Sequence, residues 1–99
     1  MQVKPEQMVD ELETVLARMG IRVRKERGNF KGGWCVINDE RCLVINKRHT
    51  PEIQFTIVAE CMRSLPHESV YLRPGVREAL EDQWTRRPLD VTSDFQEDG

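Results

Sequence analysis

The sequence lacks the features that mark membrane and secreted proteins. No apolar run in its 99 residues approaches the roughly 20 residues that a membrane-spanning helix requires. The opening residues, MQVKPEQMVDELE, have no basic region followed by an apolar stretch, so we expect no signal peptide. Three widely spaced cysteines do not make a disulfide framework, and reduced thiols are the simpler interpretation. We therefore expect a cytoplasmic protein with no membrane partner.

Strong metal-binding and nucleotide-binding motifs are also missing. There is no C-x2-C or H-x3-H pair, and the stretch GNFKGG lacks the form of a P-loop. We expect the three thiols to meet in the core, and we expect no metal and no cofactor. A metalloprotein or hydrolase that uses Glu60, Cys61 and nearby histidines stays an alternative. The candidate ligands for such a site are Cys35, Cys42, His49, Cys61 and His67.

Charge is unevenly distributed along the chain. The formal net charge is −2. Residues 21–48 hold eight lysines and arginines against three acidic residues, a net of +5, whereas the remainder holds seven against fourteen, a net of −7. A basic middle between acidic ends can attract an acidic partner or a second copy of the chain.

The pattern of apolar residues predicts a single α+β domain over residues 1–85. A 3.6-residue period predicts a helix over residues 5–19, with Gly20 as its C-cap. Three strands should follow as an antiparallel β-meander, with GNFKGG as one of its loops. Two further helices should then pack on the sheet, one capped by Thr50 and one near Pro74, with SVYL as a short strand between them. Residues 86–99 are polar and acidic, and we expect a flexible tail.

The hairpin GWCVINDERCLVINK is apolar on both faces. With Asp39 and Glu40 as the turn, Ile37 pairs with Cys42 and Cys35 pairs with Val44. The helices can cover one face. The other face requires the helical tail or a second copy of the chain, and we therefore expect a homodimer.

The segment from the hairpin into the next helix resembles a known family. A strand ending in Asn46 leads to a helix that opens with Gln54, Phe55 and Thr56 and carries Glu60. Over residues 33–65 this pattern is similar to the zinc peptidases related to the repressor-cleaving and radiation-response regulators. The resemblance implies their hairpin-and-helix fold.

The metal-binding part of that family's motif is absent. In H-E-x-x-H, two histidines one turn apart hold Zn²⁺ and the glutamate activates a bound water. Here Ala59 and Arg63 stand at the histidine positions, where alanine has no donor atom and arginine repels a cation. We therefore expect a degenerate zincin-like helix without peptidase activity, in which Glu60 is paired with Arg63 or Arg77 or is partly exposed at the helix edge.

Most of the chain also resembles a small bacterial protein family to which no activity is attached. Its features are a GG-x-C hairpin and a VYL-x-P-x-VRE-x-LE ending. The residues here that carry this resemblance are Gly32, Gly33, Cys35, Val70, Tyr71, Leu72, Pro74, Val76, Arg77, Glu78, Leu80 and Glu81.

These observations favour a non-catalytic protein-interaction or regulatory module that self-associates. The alternative is a nucleic-acid-binding module that uses the basic region 21–48, with aromatic residues as stacking partners. The acidic hairpin tip and the pI near 5.7 make nucleic acid the less favoured partner. The residues proposed as the interaction surface are Arg22, Arg24, Lys25, Arg27, Phe30, Lys31, Trp34 and Arg41.

Overall fold

The computed structural model describes residues 3–96 and contains three helices and a three-stranded sheet. The prediction of an α+β domain is confirmed. No helix within residues 3–96 has both the length and the apolar character needed to cross a bilayer. In chain order the elements are α1 (Pro5–Arg18), β1 (Arg22–Glu26), β2 (Gly33–Ile37), β3 (Glu40–Asn46), α2 (Pro51–Arg63) and α3 (Pro74–Trp84).

The sheet is mixed, and the prediction of an antiparallel meander is wrong. The strand order is β1-β3-β2, with β1 parallel to β3 and β2 antiparallel to β3. The loop after β1 therefore passes the end of β3. Skipping one strand requires about 10 Å at a strand spacing of about 4.8 Å. The six residues 27–32 cover that distance easily at about 3.4 Å each.

Asn46, at the end of β3, fastens this crossing loop to the sheet. Its side-chain amide donates hydrogen bonds to the carbonyl oxygens of Gly28 (3.0 Å) and Phe30 (2.8 Å). Its side-chain oxygen accepts a hydrogen bond from the Arg48 backbone N–H at 2.9 Å. Gln54 of α2 donates in turn to the Asn46 backbone carbonyl at 3.1 Å. Asn46 and Gln54 thus hold the crossing loop and α2 against β3.

The hairpin turn lies one residue earlier than the sequence predicts. Asn38 and Asp39 both have positive φ, and Ile37 pairs with Glu40. Two residues with positive φ are the requirement of a type I′ hairpin turn, and asparagine and aspartate tolerate that conformation better than most residues. Cys35 consequently faces Cys42 rather than Val44. Moving the turn by one residue moves each partner by two, so every side chain stays on its predicted face.

The main core lies between the sheet and the helices. Leu43 and Ile45 of β3 pack in it against apolar residues of α1 and α2. α2 contacts β2 and β3, whereas α1 lies against β1 and α2. Of the two helices predicted to pack on the sheet, α2 contacts it directly, whereas the main neighbour of α3 is α2. The predicted short strand at SVYL is also wrong, because His67–Ser69 form a 3-10 turn and residues 70–72 are not in a strand.

Candidate functional site

The proposed interaction residues are divided between the two faces of the sheet. The register places Arg22 and Arg24 beside Cys42 and Val44, on the face turned away from the helices. Lys25 lies on the opposite face, where its ammonium is 2.9 Å from the Glu13 carboxylate of α1. The hydrogen bond to Glu13 raises the pKa of Lys25. These cations therefore do not form one continuous basic surface.

Acidic groups of the same chain accompany most of the remaining cations. The Arg22 guanidinium is 3.6 Å from Glu40, and Arg24 is 2.9 Å from Glu26. The Lys31 ammonium is 3.7 Å from Asp90. Ion pairs that solvent can reach add little stability, but they reduce the local positive potential that would attract nucleic acid. Arg27 is exposed in the crossing loop.

The outer edge of β2 is occupied by residues 91–95, which we name the docking segment. The Trp34 backbone N–H donates to the Val91 carbonyl at 2.6 Å, and the Ser93 N–H donates to the Trp34 carbonyl at 2.8 Å. Trp34 and Thr92 form a parallel bridge. Within the predicted tail 86–99, Val91 and Ser93 are therefore hydrogen-bonded to the backbone of the sheet edge. Residues 97–99 lie outside the described part of the chain.

The aromatic ring of the docking segment covers the apolar face that the sequence leaves without a cover. Phe95 meets Phe30 edge to face, with ring centroids 4.9 Å apart. Both rings pack on a second cluster formed by Ile37, Cys42 and Val44. The Cys35 thiol donates to the Phe95 carbonyl at 3.2 Å. The chain's own C-terminal residues thus supply the cover, and a second copy is not required for that purpose.

Polar contacts with Lys31 fix the position of the segment along the edge. The Lys31 backbone N–H donates to the Asp94 carboxylate at 2.6 Å. The Ser93 hydroxyl donates to the Lys31 carbonyl. Because Lys31 also pairs with Asp90, this one residue contacts both ends of an acidic stretch.

Gly33 allows the segment to come this close. A Cβ at this position would collide with the carbonyl group of Val91, and the φ of Gly33 is +130°, which side-chain-bearing residues rarely adopt. Val91 packs on the main core, whereas Phe95 packs on the second cluster. The segment therefore wraps around the β2 edge from one face of the sheet to the other.

An open groove of about 480 Å³ continues beside the docking segment. The Arg41 guanidinium lies over the Trp34 ring, 3.8 Å from its centroid, and forms one wall. Val36, which is 69% exposed, and Gln96 also line the groove. Three of the sequence-proposed surface residues, Phe30, Trp34 and Arg41, thus lie at this edge, where Lys31 contacts the segment as well.

The residues predicted to form a degenerate motif, Ala59, Glu60 and Arg63, lie elsewhere, at the contact between α2 and α3. Glu60 is 4% exposed, and its carboxylate accepts hydrogen bonds from Arg63 at 2.8 and 3.1 Å and from Gln83 at 3.4 Å. Arg63 also donates to the Trp84 carbonyl at 2.9 Å, and the Trp84 indole donates to the Ala59 carbonyl at 2.7 Å. The hydrogen bond from Arg63 holds the pKa of Glu60 below its usual value.

The expected pairing of Glu60 with Arg63 is confirmed, whereas its expected exposure at the helix edge is not. Arg77 instead donates to the Val70 carbonyl at 3.4 Å. Ala59, Glu60 and Arg63 of α2 therefore all form hydrogen bonds to α3. The Glu60 carboxylate is buried and enclosed by its hydrogen-bond partners.

The predicted meeting of three thiols is wrong. Cys35 and Cys42 face each other on the sheet side that carries Phe95, whereas Cys61 lies in the main core on the other side. Burial raises the pKa of Cys61 to about 12. No three His, Cys, Asp or Glu side chains within residues 3–96 converge as metal ligands.

No protein-family model, curated protein or solved structure matches this chain. The two resemblances stated from the sequence therefore stay predictions.

Sequence reasoning missed the docking segment. Its signal is an alternation in VTSDFQ, where Val91, Ser93 and Phe95 are half-buried and the residues between them are exposed. The glycine pair at residues 32 and 33 is the complementary signal, because it indicates close approach of another backbone.

Proposed function

We propose that this protein is a non-catalytic interaction module whose binding element is the edge of β2. An extended peptide would bind by adding to this edge as a strand. The observation that carries the proposal is the docking segment itself, an extended stretch to which Trp34 of the edge donates one backbone hydrogen bond and from which it accepts another.

The contacts of the docking segment define the preferred ligand. An aromatic side chain would occupy the position of Phe95, against Phe30 and the cluster below it. An acidic residue just before this aromatic residue would accept a hydrogen bond from the Lys31 N–H, as Asp94 does. Backbone pairing supplies affinity that is independent of sequence, and these two side-chain positions supply selectivity. The preferred ligand is therefore an acidic, extended segment with one aromatic anchor.

The docking segment also makes the module regulatory, because any partner must displace it. A competitor on the same chain acts at an effective concentration in the millimolar range when its linker is short and flexible. The apparent affinity for a partner then falls in proportion to the fraction of molecules whose edge is open.

The arrangement around Glu60 supports a non-catalytic assignment. A general base must reach a substrate proton, but both carboxylate oxygens here accept hydrogen bonds from side chains of α2 and α3. The nucleic-acid alternative is weakened by the acidic partners of the cations. The bacterial origin and cytoplasmic location stay predictions.

Fluorescence anisotropy with a labelled peptide of residues 88–96, PLDVTSDFQ, tests this function. The protein is the full chain carrying Phe95→Ala, which weakens the competing segment and leaves the edge intact. We expect saturable binding at least about tenfold tighter than to the unmodified chain, equivalent to about 1.4 kcal/mol.

Two controls make the result specific. A peptide with alanine at the position of Phe95 should bind far more weakly, and a chain carrying both Gly33→Ala and Phe95→Ala should not bind either peptide. Equal binding of the two peptides, or no binding to the Phe95→Ala chain, would contradict the proposed function.

A further inference from the structure

We propose that the docking segment also binds the β2 edge of a second copy, so that two chains exchange their segments and form a homodimer. This inference rests on the proposed function and names its partner. The sequence predicts a homodimer held by an uncovered apolar face of the hairpin, but Phe30 and Phe95 already cover that face. The dimer proposed here is held instead by the exchanged segments.

The chemistry of the edge identifies this occupant. The absence of a side chain at Gly33 leaves room for the Val91 carbonyl. The Lys31 N–H donates to the Asp94 carboxylate, and the Phe30 ring packs edge to face on Phe95. A second copy carries the same segment and can make every one of these contacts. It also carries its own edge, so two reciprocal exchanges complete a closed, two-fold dimer.

Residues 85–90 provide the hinge. All six are exposed, and they connect the end of α3 to Val91. Hydrogen bonds to Glu81 and Gln83 continue the helical path through Thr85 and Arg86. Pro88 disfavours a helical conformation at the residue before it, so that continuation ends in an extended stretch. Such a short, exposed hinge can direct the segment back to its own edge or outward to another chain.

The balance between the two states depends on concentration. The closed monomer and the exchanged dimer use the same groove contacts, so these contacts favour neither state. Dilution favours the monomer because its segment is tethered, and a rising protein concentration favours the dimer by mass action. A concentration-dependent equilibrium is therefore the expected signature of exchange.

Native mass spectrometry and sedimentation velocity over a concentration series test the exchange with full-length chains. The Phe95→Ala chain keeps an open edge but has a weakened segment. The Gly33→Ala chain keeps its segment, but the added methyl group prevents any segment from docking on its β2 edge. We expect the unmodified chain to form a dimer whose fraction rises with concentration. Each variant alone should lose that dimer, because its segment then stays undocked and the open monomer is the favoured state.

An equimolar mixture of the two variants is the decisive sample. The segment of the Gly33→Ala chain can enter the open edge of the Phe95→Ala chain, so we expect a heterodimer that excess PLDVTSDFQ peptide dissociates. Circular dichroism checks that Gly33→Ala is folded. Phe30→Ala, which removes the ring beneath Phe95 without adding an atom at residue 33, replaces it if it is not.

Two results would overturn the exchange. One is an unmodified chain that stays monomeric at every concentration, and the other is a dimer that persists in both variants, since it would use another surface. Peptide binding to the Phe95→Ala chain together with a monomeric unmodified chain would leave the interaction function standing and assign the edge to a different protein. Failure of the peptide to bind would reject the function itself.

Discussion

Glu60 illustrates at the scale of one residue how a buried carboxylate can join two helices. It lies between Arg63, one turn further along α2, and Gln83 of α3. A buried carboxylate is stable only when its oxygens are hydrogen-bonded and its charge is paired, and both conditions are met here. Because Arg63 also donates to the Trp84 carbonyl, the pair fixes the end of α3 on α2.

Replacing Glu60 should therefore lower stability. We expect Glu60→Gln to reduce the free energy of unfolding by about 2 kcal/mol, the usual range for hydrogen bonds to charged groups. Urea denaturation measures this value. Asp82→Asn removes the carboxylate from the exposed pair with Arg86 and is the matched control, with an expected change below about 0.5 kcal/mol. Equal effects of the two substitutions would mean that Glu60 is not held as described.

The same substitution carries a pH dependence with a defined sign. The pKa of Glu60 is lowered in the folded protein, so its charged form is favoured by folding. Its contribution is full above the unfolded pKa of about 4.3 and is lost as the pH falls through the folded value. The stability difference between the unmodified chain and Glu60→Gln should therefore narrow as the pH falls below about 4. A difference that stays constant into acid would contradict this account.

At the scale of the elements, local signals in the sequence predict the helices well. Thr50 accepts a hydrogen bond from the Ile53 N–H at 3.4 Å, and Gly20 has a φ of +83°, as their residue types suggest. The order of the strands has no such local signal. A six-residue, glycine-rich loop can join neighbouring strands or skip one, and the choice here depends on the tertiary contacts of Asn46.

Asn46 should accordingly be important for the sheet topology. We expect Asn46→Ala to lower the free energy of unfolding by about 2–3 kcal/mol, because three hydrogen bonds of about 1 kcal/mol each are lost. Asn46→Asp should be at least as damaging, since its carboxylate would face the carbonyl oxygens of Gly28 and Phe30. Asn29→Ala, an exposed position in the same loop, is the control. Thermal unfolding followed by circular dichroism distinguishes these variants, and a neutral Asn46→Ala would contradict the proposed anchoring.

At the scale of the whole molecule, the docking segment covers the face of the sheet turned away from the helices. Composition alone describes residues 86–99 as polar and acidic, which is typical of a flexible tail. The contacts of Val91 and Phe95 are long-range, because β2 precedes them by more than fifty residues. A short alternation and a glycine pair are weak signals when considered separately. Only the folded chain shows that the alternating residues 91–95 and the glycines at the start of β2 contact each other.

The most direct measurement is backbone amide hydrogen exchange at Trp34 and Ser93, because these two N–H groups form the bonds between β2 and the docking segment. We expect both to be protected in the unmodified chain. In the Phe95→Ala chain, protection at both should fall while protection in β3 is retained. Exchange of Ser93 at the rate of an unstructured peptide in the unmodified chain would contradict the account, since the β2 edge would then be empty and residues 86–99 would be the flexible tail that their composition suggests.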